Sequence, residues 1–309
     1  MNSQEVIQPV KATPKEVMLQ KLAAFFRIAW RTNSGKIGLI IVSVHIFLAI
    51  FGPFITPYSP TEFGPEDLKH RFESPSLIHP FGTDHFGRDV FSRVLAGAQS
   101  IIWISVVGTT LGIFLGTVIG IISAYVGGWT EQISMRIMDF LLAFPGLLLA
   151  LLMVTIGMQR TNIDESWIII VVIGIAFTPN NSRVIRSAAL SIKPLEFVQS
   201  ARLRGEPLLY IVFREILPNV IPVISVEATL RLSFALLLTA SLGFLGLGVQ
   251  PPTPDWGLMV SDSREHLAIA PWASLAPALA MGSLVIGVNL LADGIRQSMG
   301  LPEVRNTDG

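Results

Sequence analysis

Four side chains between residues 79 and 89 are of the types that bind metal ions. They are His79, Asp84, His85 and Asp89. Protein zinc sites repeat a small number of ligand spacings, and the spacing here matches none of them. Gly82 and Gly87 favour tight turns, and Asp89 is a suitable N-cap for a helix over 90–98. We therefore interpret this stretch as a structural turn and predict no metal site.

The residue patterns of phosphate-binding and hydrolytic sites are missing from the sequence. It contains no GxxxxGK[ST] phosphate loop, no HExxH pair and no GxSxG motif. It also contains no cysteine, which excludes disulfides, thiolate ligands and cysteine nucleophiles. The sequence thus predicts neither catalytic residues nor a cofactor, and any chemical energy that the protein uses would have to come from a partner.

Glu227 and Arg231 are charged residues inside an apolar run. They are four residues apart on a predicted helix, so they share a face and can pair, with the acid before the base. If the run spans a membrane, burying a charged side chain in it costs free energy, so the presence of two such side chains calls for an explanation. Two readings stay open: a neutralised pair that stabilises the bundle, or a group on a translocation path that meets a substrate carboxylate.

The stretch from Glu196 to Asn219, here named the elbow segment, is a polar and basic island between apolar runs. Residues 196–204 suit a short amphipathic helix, and the apolar Phe197, Ala201 and Leu203 are expected on one side of it.

Glycine and proline punctuate the elbow segment after that short helix. Gly205 can adopt the left-handed conformation that ends a helix. Pro207 suits the start of a second helix, and Pro218 is expected to stop it. Such a rigid elbow favours presentation to a partner.

Composition and charge spacing indicate an all-α polytopic membrane protein. Of the 309 residues, 51% are apolar and only 14% are charged, and the mean hydropathy is +0.59. Soluble domains carry about 25% charged residues. A spanning helix needs roughly 20 mostly apolar residues. Six runs satisfy this requirement: 37–56, 100–124, 136–157, 166–182, 221–245 and 272–293.

The lysines and arginines outside these runs predict an orientation. Fourteen of them precede the first run, lie between the fourth and fifth, or follow the sixth, against six in the opposite loops. The richer side is expected in the cytoplasm. This places both termini and the elbow segment on the cytoplasmic side.

We divide the chain into four regions on this basis. Residues 1–36 are a cytoplasmic tail with a basic amphipathic helix, which either lies at the membrane interface or docks a partner. Residues 37–98 hold the first span and an extracytoplasmic loop. The transmembrane core follows over 99–297, with a cytoplasmic loop at 183–218, and 298–309 form a C-terminal tail.

The elbow segment resembles the signature loop of permease subunits of binding-protein-dependent ABC importers. That signature reads EAA, three residues, Gly, nine residues, then I-x-LP. Gln199-Ser200-Ala201, Gly205 and Leu217-Pro218 fall at these spacings. Gln-Ser replaces the Glu-Ala pair, and Glu215 stands at the isoleucine position.

Four further blocks are similar to the C-type permeases of the dipeptide, oligopeptide and nickel importers. They begin at His79, Met135, Leu242 and Asn289, and they read HPFGTDHFGRDVFSRVLAGAQ, MRIMDFLLAFPGLLLA, LGFLGLGVQPPTPDWGLMVSD and NLLADGIRQ. The resemblance implies the type I ABC importer fold with six spans in a bacterial inner membrane. It also implies four kinds of partner: a B-type permease in a heterodimer, two ATPase subunits, an extracytoplasmic solute-binding protein and membrane lipid. Nucleic acid is not implied.

The resemblance also assigns coupling to the ATPase subunits to particular residues of the elbow segment. They are Phe197, Gln199, Ser200, Ala201, Gly205, Glu206, Pro207, Leu217 and Pro218. The substrate stays open among dipeptides, longer peptides, glutathione, nickel and opine-like solutes. A secondary transporter that uses Glu227 and Arg231 is the alternative function.

Overall fold

A computed structural model describes residues 29–62, 64 and 67–298 of the chain. Most of the N-terminal tail, with most of its predicted amphipathic helix, and most of the C-terminal tail lie outside these residues. Nine α-helices begin and end within the described part. They are α1 (Asn33–Ile55), α2 (Val90–Val126), α3 (Gly128–Leu142), α4 (Gly146–Arg160), α5 (Glu165–Ile192), α6 (Glu196–Leu203), α7 (Leu208–Phe244), α8 (Trp256–Ser263) and α9 (Pro271–Ser298).

Five helices (α1, α2, α5, α7 and α9) are long and apolar enough to cross a membrane. A sixth crossing exists only if α3 and α4 are taken together, and these two helices meet at 91°. The third predicted run, 136–157, is therefore broken rather than continuous. Pro145 has no N–H and disfavours a helical residue before it, so α3 ends at Leu142 and α4 begins at Gly146.

The predicted cap of α2 is confirmed, because Asp89 Oδ2 accepts a hydrogen bond of 2.7 Å from the Ser92 N–H.

Each of the five spanning helices is longer than the apolar run that predicted it. Residues 183–192, predicted as loop, continue α5. Polar residues are compatible with a helix at this point because α5 has reached the end of the bundle, where Arg186 pairs with Glu131 of α3.

Close contact between α2 and α5 forms the centre of the bundle. Glycine recurs at every fourth residue of α2 and faces α5 at Gly108, Gly112, Gly116 and Gly120. A Cβ on Gly116 would lie 2.5 Å from the Cβ of Asn181 and 3.0 Å from the backbone nitrogen of Ser182. The two backbones approach because α2 presents no side chains along this line.

Trp256 closes the end of the bundle opposite the elbow segment. Its side chain is fully buried, and its Nε1–H donates to the Val94 carbonyl at 2.9 Å. The His45 ring lies edge-on to it, with 6.0 Å between ring centroids. Trp256 thus ties α8 to α1 and α2.

Asp255 caps α8 from a buried position beneath the end of α7. Its Oδ1 accepts a hydrogen bond of 2.8 Å from the Leu258 N–H. Burial raises the pKa of this carboxyl from 3.8 to about 6, although hydrogen bonds from the Leu258 and Gly257 N–H groups oppose the shift. The folded protein therefore binds this proton more tightly than the unfolded chain does.

Replacing Asp255 with asparagine is expected to remove a pH dependence of stability. A raised carboxyl pKa contributes stability at low pH, and this contribution is lost as the pH rises from 3.8 through about 6. Two pKa units correspond to about 3 kcal/mol. Melting temperatures of the purified protein should thus fall across this window for the wild type and less for Asp255→Asn, which keeps the cap acceptor. Parallel pH profiles of the two proteins would contradict the expectation.

Candidate functional site

The elbow segment begins with α6, which ends in a Schellman motif. Gly205 has φ = +75°, the left-handed region that glycine enters at no steric cost. The Gly205 N–H donates to the Arg202 carbonyl at 3.0 Å, and the Glu206 N–H donates to the Ala201 carbonyl at 3.2 Å. These are the two hydrogen bonds of the motif, so the predicted glycine break is confirmed.

One face of α6 packs on the bundle, and it matches the predicted face only in part. Val198 and Ala201 are buried in a cluster with residues of α2, α5 and α7. Phe197 is 39% exposed and Leu203 is 88% exposed. The prediction that Leu203 shares the face of Ala201 was wrong, because residues three or four apart share a helix face whereas Leu203 follows Ala201 by only two. Phe197 precedes Ala201 by four residues and lies on its side of α6, as predicted, but it stays partly exposed. Phe197 and Leu203 thus leave two large apolar side chains on the surface of α6.

Polar contacts fix α6 to the ends of its neighbours. Gln199 Nε2 donates to the Lys193 carbonyl at 3.0 Å, directly after α5. Lys193 Nζ donates in turn to the Ala124 carbonyl of α2 at 2.9 Å. Glu206 lies 3.5 Å from Arg204 in a pair that is largely exposed. Gln199, which stands where the signature has glutamate, thus donates a hydrogen bond to the end of α5. An ionised glutamate could not make this bond because a carboxylate only accepts hydrogen bonds.

The second helix of the elbow segment does not stop at Pro218, contrary to the sequence prediction. Pro207 lies at its N-cap, as predicted, but α7 continues through Pro218 to Phe244. Residues Ile211–Ile216 form a π-helical turn, in which the Leu217 N–H donates to the Val212 carbonyl five residues back. Pro218 therefore falls in the first turn of the following α-helical part, where its missing N–H costs little.

Glu227 and Arg231 pair with each other at the interface of α7 and α5. Arg231 Nε lies 3.1 Å from Glu227 Oε2 and 3.3 Å from the side-chain oxygen of Asn181 on α5. Both charged side chains are mostly buried. The predicted pairing of Glu227 with Arg231 is confirmed. The structure adds Asn181 as a neutral partner, which sequence spacing cannot reveal because this residue lies on another helix.

The four residues of metal-binding type lie far from the elbow segment and pair mostly with protein groups. His79 Nδ1 lies 2.9 Å from Asp89, and Asp84 Oδ2 accepts a hydrogen bond of 2.7 Å from Arg88. Burial lowers the pKa of His85, whose ring stacks near His266. Gly82 and Gly87 have φ values of +67° and +82°, which confirms the predicted turns.

Comparison with known proteins adds family matches to this geometry. Residues 116–300 match the family described as binding-protein-dependent transport system inner membrane component. Residues 25–75 match the N-terminal transmembrane domain of oligopeptide transport permease C.

Individual relatives match over most of their length. The dipeptide transport system permease protein DppC of Alkalihalophilus pseudofirmus is 39% identical over 85% of this chain and 84% of its own. The glutathione transport system permease protein GsiD of Escherichia coli is 38% identical, over 89% and 88%. A putative peptide transport system permease protein of Brucella suis is 34% identical, over 94% and 96%.

Proposed function

The chain belongs to the inner membrane components of binding-protein-dependent transport systems, in the group of dipeptide and oligopeptide permeases, and from this membership we propose that it forms half of the translocation pathway of an ATP-driven importer. A B-type permease supplies the other half in a heterodimer embedded in lipid. Two ATPase subunits hydrolyse ATP, and an extracytoplasmic solute-binding protein delivers the substrate. This family membership favours the importer over a secondary transporter.

We propose peptides or a related small solute as the substrate. The relatives at 38% and 39% identity are named for glutathione and dipeptide transport. Both solutes are peptides that carry a carboxylate. Glu227 and Arg231 are proposed to lie on the translocation path, where the guanidinium meets that carboxylate.

The elbow segment is proposed to couple this movement to ATP hydrolysis from the cytoplasmic side of the inner membrane. This orientation places both termini in the cytoplasm. The observation that carries the proposal is a rigid helix, α6, that is anchored to the bundle by Val198 and Ala201 yet leaves Leu203 uncovered. An apolar side chain on a fixed helix suits a groove on a partner. Closure of the ATPase dimer moves α6, and α7 carries the motion into the membrane as a rigid-body switch.

Replacing Leu203 with aspartate is expected to weaken association with the ATPase subunits. Burial of an exposed leucine in a partner's groove contributes about 1.5 to 3 kcal/mol, and aspartate would lose this and bury an unpaired charge, so recovery of ATPase with the permease should fall by roughly 10-fold or more. Co-purification from solubilised membranes measures this recovery. The side chain is already 88% exposed, so folding of the permease is not expected to change.

The matched control is Leu77→Asp, since Leu77 is also fully exposed but lies in the loop between α1 and α2. This control is expected to leave recovery of the ATPase unchanged. Equal recovery with Leu203→Asp and wild type would contradict docking through α6.

A further inference from the structure

Asn181 of α5 is fully buried and only partly hydrogen-bonded. Its Nδ2 is one of the buried nitrogens that have no partner among the described residues. Leaving a buried donor unpaired costs the free energy of removing it from water, so stability alone favours a leucine of similar size. The asparagine therefore calls for an explanation other than packing.

The side-chain oxygen of Asn181 offers that explanation through Arg231. It accepts a hydrogen bond of 3.3 Å from Arg231 Nε, and Glu227 Oε2 accepts from the same nitrogen at 3.1 Å. Glu227 lies on the same helix as Arg231, whereas Asn181 lies on the neighbouring one. Two acceptors on different helices restrict the rotation of the planar guanidinium more than one does.

These two hydrogen bonds direct the Nε edge of the Arg231 guanidinium into the bundle. The opposite edge carries the two terminal nitrogens. Neither terminal nitrogen of Arg231 belongs to the buried atoms that lack a partner, and neither bonds to a described residue. The side chain is 18% exposed. The two terminal nitrogens thus keep N–H groups free of described partners, on a planar fork that can bind a carboxylate through two parallel hydrogen bonds.

The chemistry of the amide suits this task. Asparagine accepts a hydrogen bond without adding a second negative charge, so the guanidinium keeps more of its attraction for an incoming carboxylate than it would between two acids. Space for Asn181 comes from α2, where a side chain on Gly116 would meet the Asn181 Cβ at 2.5 Å.

We propose that Asn181 is a positioning residue, which orients the Arg231 guanidinium toward the carboxylate of a substrate passing through the membrane. This inference rests on the proposed function, because it requires Arg231 to lie on the translocation path. Asn181 itself does not touch the substrate.

The test compares Asn181→Leu with a matched control in the complete importer. Thr109→Val is that control, because Thr109 Oγ1 is also buried without a partner in the described part of the chain but has no contact with Arg231. Both changes replace a side chain that carries one unpaired polar atom with an apolar one of similar shape. Thr109→Val is expected to leave the melting temperature equal or higher. Asn181→Leu removes an unpaired donor but also one acceptor of Arg231, and because these effects are of similar size it is expected to melt close to the wild type.

Uptake separates the two variants. Proteoliposomes that hold the importer and its binding protein are supplied with a radiolabelled dipeptide or with glutathione, and substrate uptake and ATP hydrolysis are measured together. Asn181→Leu is expected to lower the amount transported per ATP about 10-fold, the equivalent of one hydrogen bond to a charged group. Thr109→Val is expected to transport as the wild type does.

The outcomes distinguish this inference from the proposed function. If Arg231→Met lowers transport per ATP but Asn181→Leu does not, the positioning role of Asn181 is overturned while the pathway role of Arg231 stands. If Arg231→Met transports normally, the pathway role fails and the role of Asn181 fails with it. If the wild-type importer takes up neither probe, the proposed substrate class and this inference are both overturned.

Discussion

Replacing Gly205 with valine is expected to stop substrate uptake while ATP hydrolysis continues. Gly205 has φ = +75°, and a Cβ there would meet no atom within 4 Å. The effect therefore comes from the backbone alone. A β-branched residue in the left-handed region costs about 1 to 3 kcal/mol, and the chain relieves this strain by leaving it.

Leaving the left-handed region breaks the two hydrogen bonds that end α6. The Glu206 N–H to Ala201 carbonyl bond fixes the direction in which the chain turns toward Pro207. With that direction lost, movement of α6 on the ATPase no longer reaches α7. Reconstituted importer should show uptake reduced by about 10-fold or more at an unchanged rate of ATP hydrolysis, since each 1.4 kcal/mol of strain corresponds to about a tenfold change.

Two controls separate coupling from general damage. Asparagine tolerates the left-handed conformation better than other side chains, so Gly205→Asn is expected to keep most of the uptake. Gly246→Val introduces equal strain after the opposite end of α7, where φ is +80° and the space is also open. It is expected to lower stability but not the amount transported per ATP. Normal uptake by Gly205→Val would refute the elbow as the coupling element.

Local features of the fold could be predicted from the sequence because their causes are local. Asp89 caps α2 through a hydrogen bond three residues away, and Gly205 ends α6 by its own conformational freedom. Apolar runs of sufficient length predicted α1, α2, α5, α7 and α9. In each of these cases the deciding interaction lies within one helical turn or one apolar run.

Predictions failed where packing against another helix decides the outcome. A proline normally ends a helix. Here the π turn of Ile211–Ile216 changes the hydrogen-bond register, so that the helix continues through Pro218. The sequence also could not tell that Val198, rather than Phe197, faces the bundle, because both are apolar and the cluster beneath α6 comes from α2, α5 and α7. The 91° angle between α3 and α4 likewise exceeds what Phe144-Pro145 alone specifies.

The candidate site shows the same division between local and distant causes. The pairing of Glu227 with Arg231 follows from their spacing on one helix. Asn181 is separated from Arg231 by 50 positions and an intervening helix, and no periodicity connects the two. The glycine spacing in α2 is visible in the sequence, but it does not reveal that α5 is the helix that fills the groove.

Replacing Gly116 with leucine is expected to prevent the bundle from folding, and alanine is expected to destabilise it by about 1 to 3 kcal/mol. The alanine Cβ would lie 2.5 Å from the Cβ of Asn181 and 3.0 Å from the nitrogen of Ser182. Both atoms belong to the rigid inner part of α5, so the whole helix must move away. The shift also separates Asn181 from its place beside Arg231.

Gly282→Ala is the matched control, because Gly282 is a mid-helix glycine of α9 around which a Cβ meets nothing within 4 Å. Alanine has the higher helix propensity by about 1 kcal/mol, so this variant is expected to melt at an equal or higher temperature than wild type. Gly116→Ala is expected to melt lower, and Gly116→Leu to yield little folded protein in detergent. Equal melting temperatures for Gly116→Ala and Gly282→Ala would mean that α2 and α5 do not need their close contact, and the position of Asn181 would then have to be explained without it.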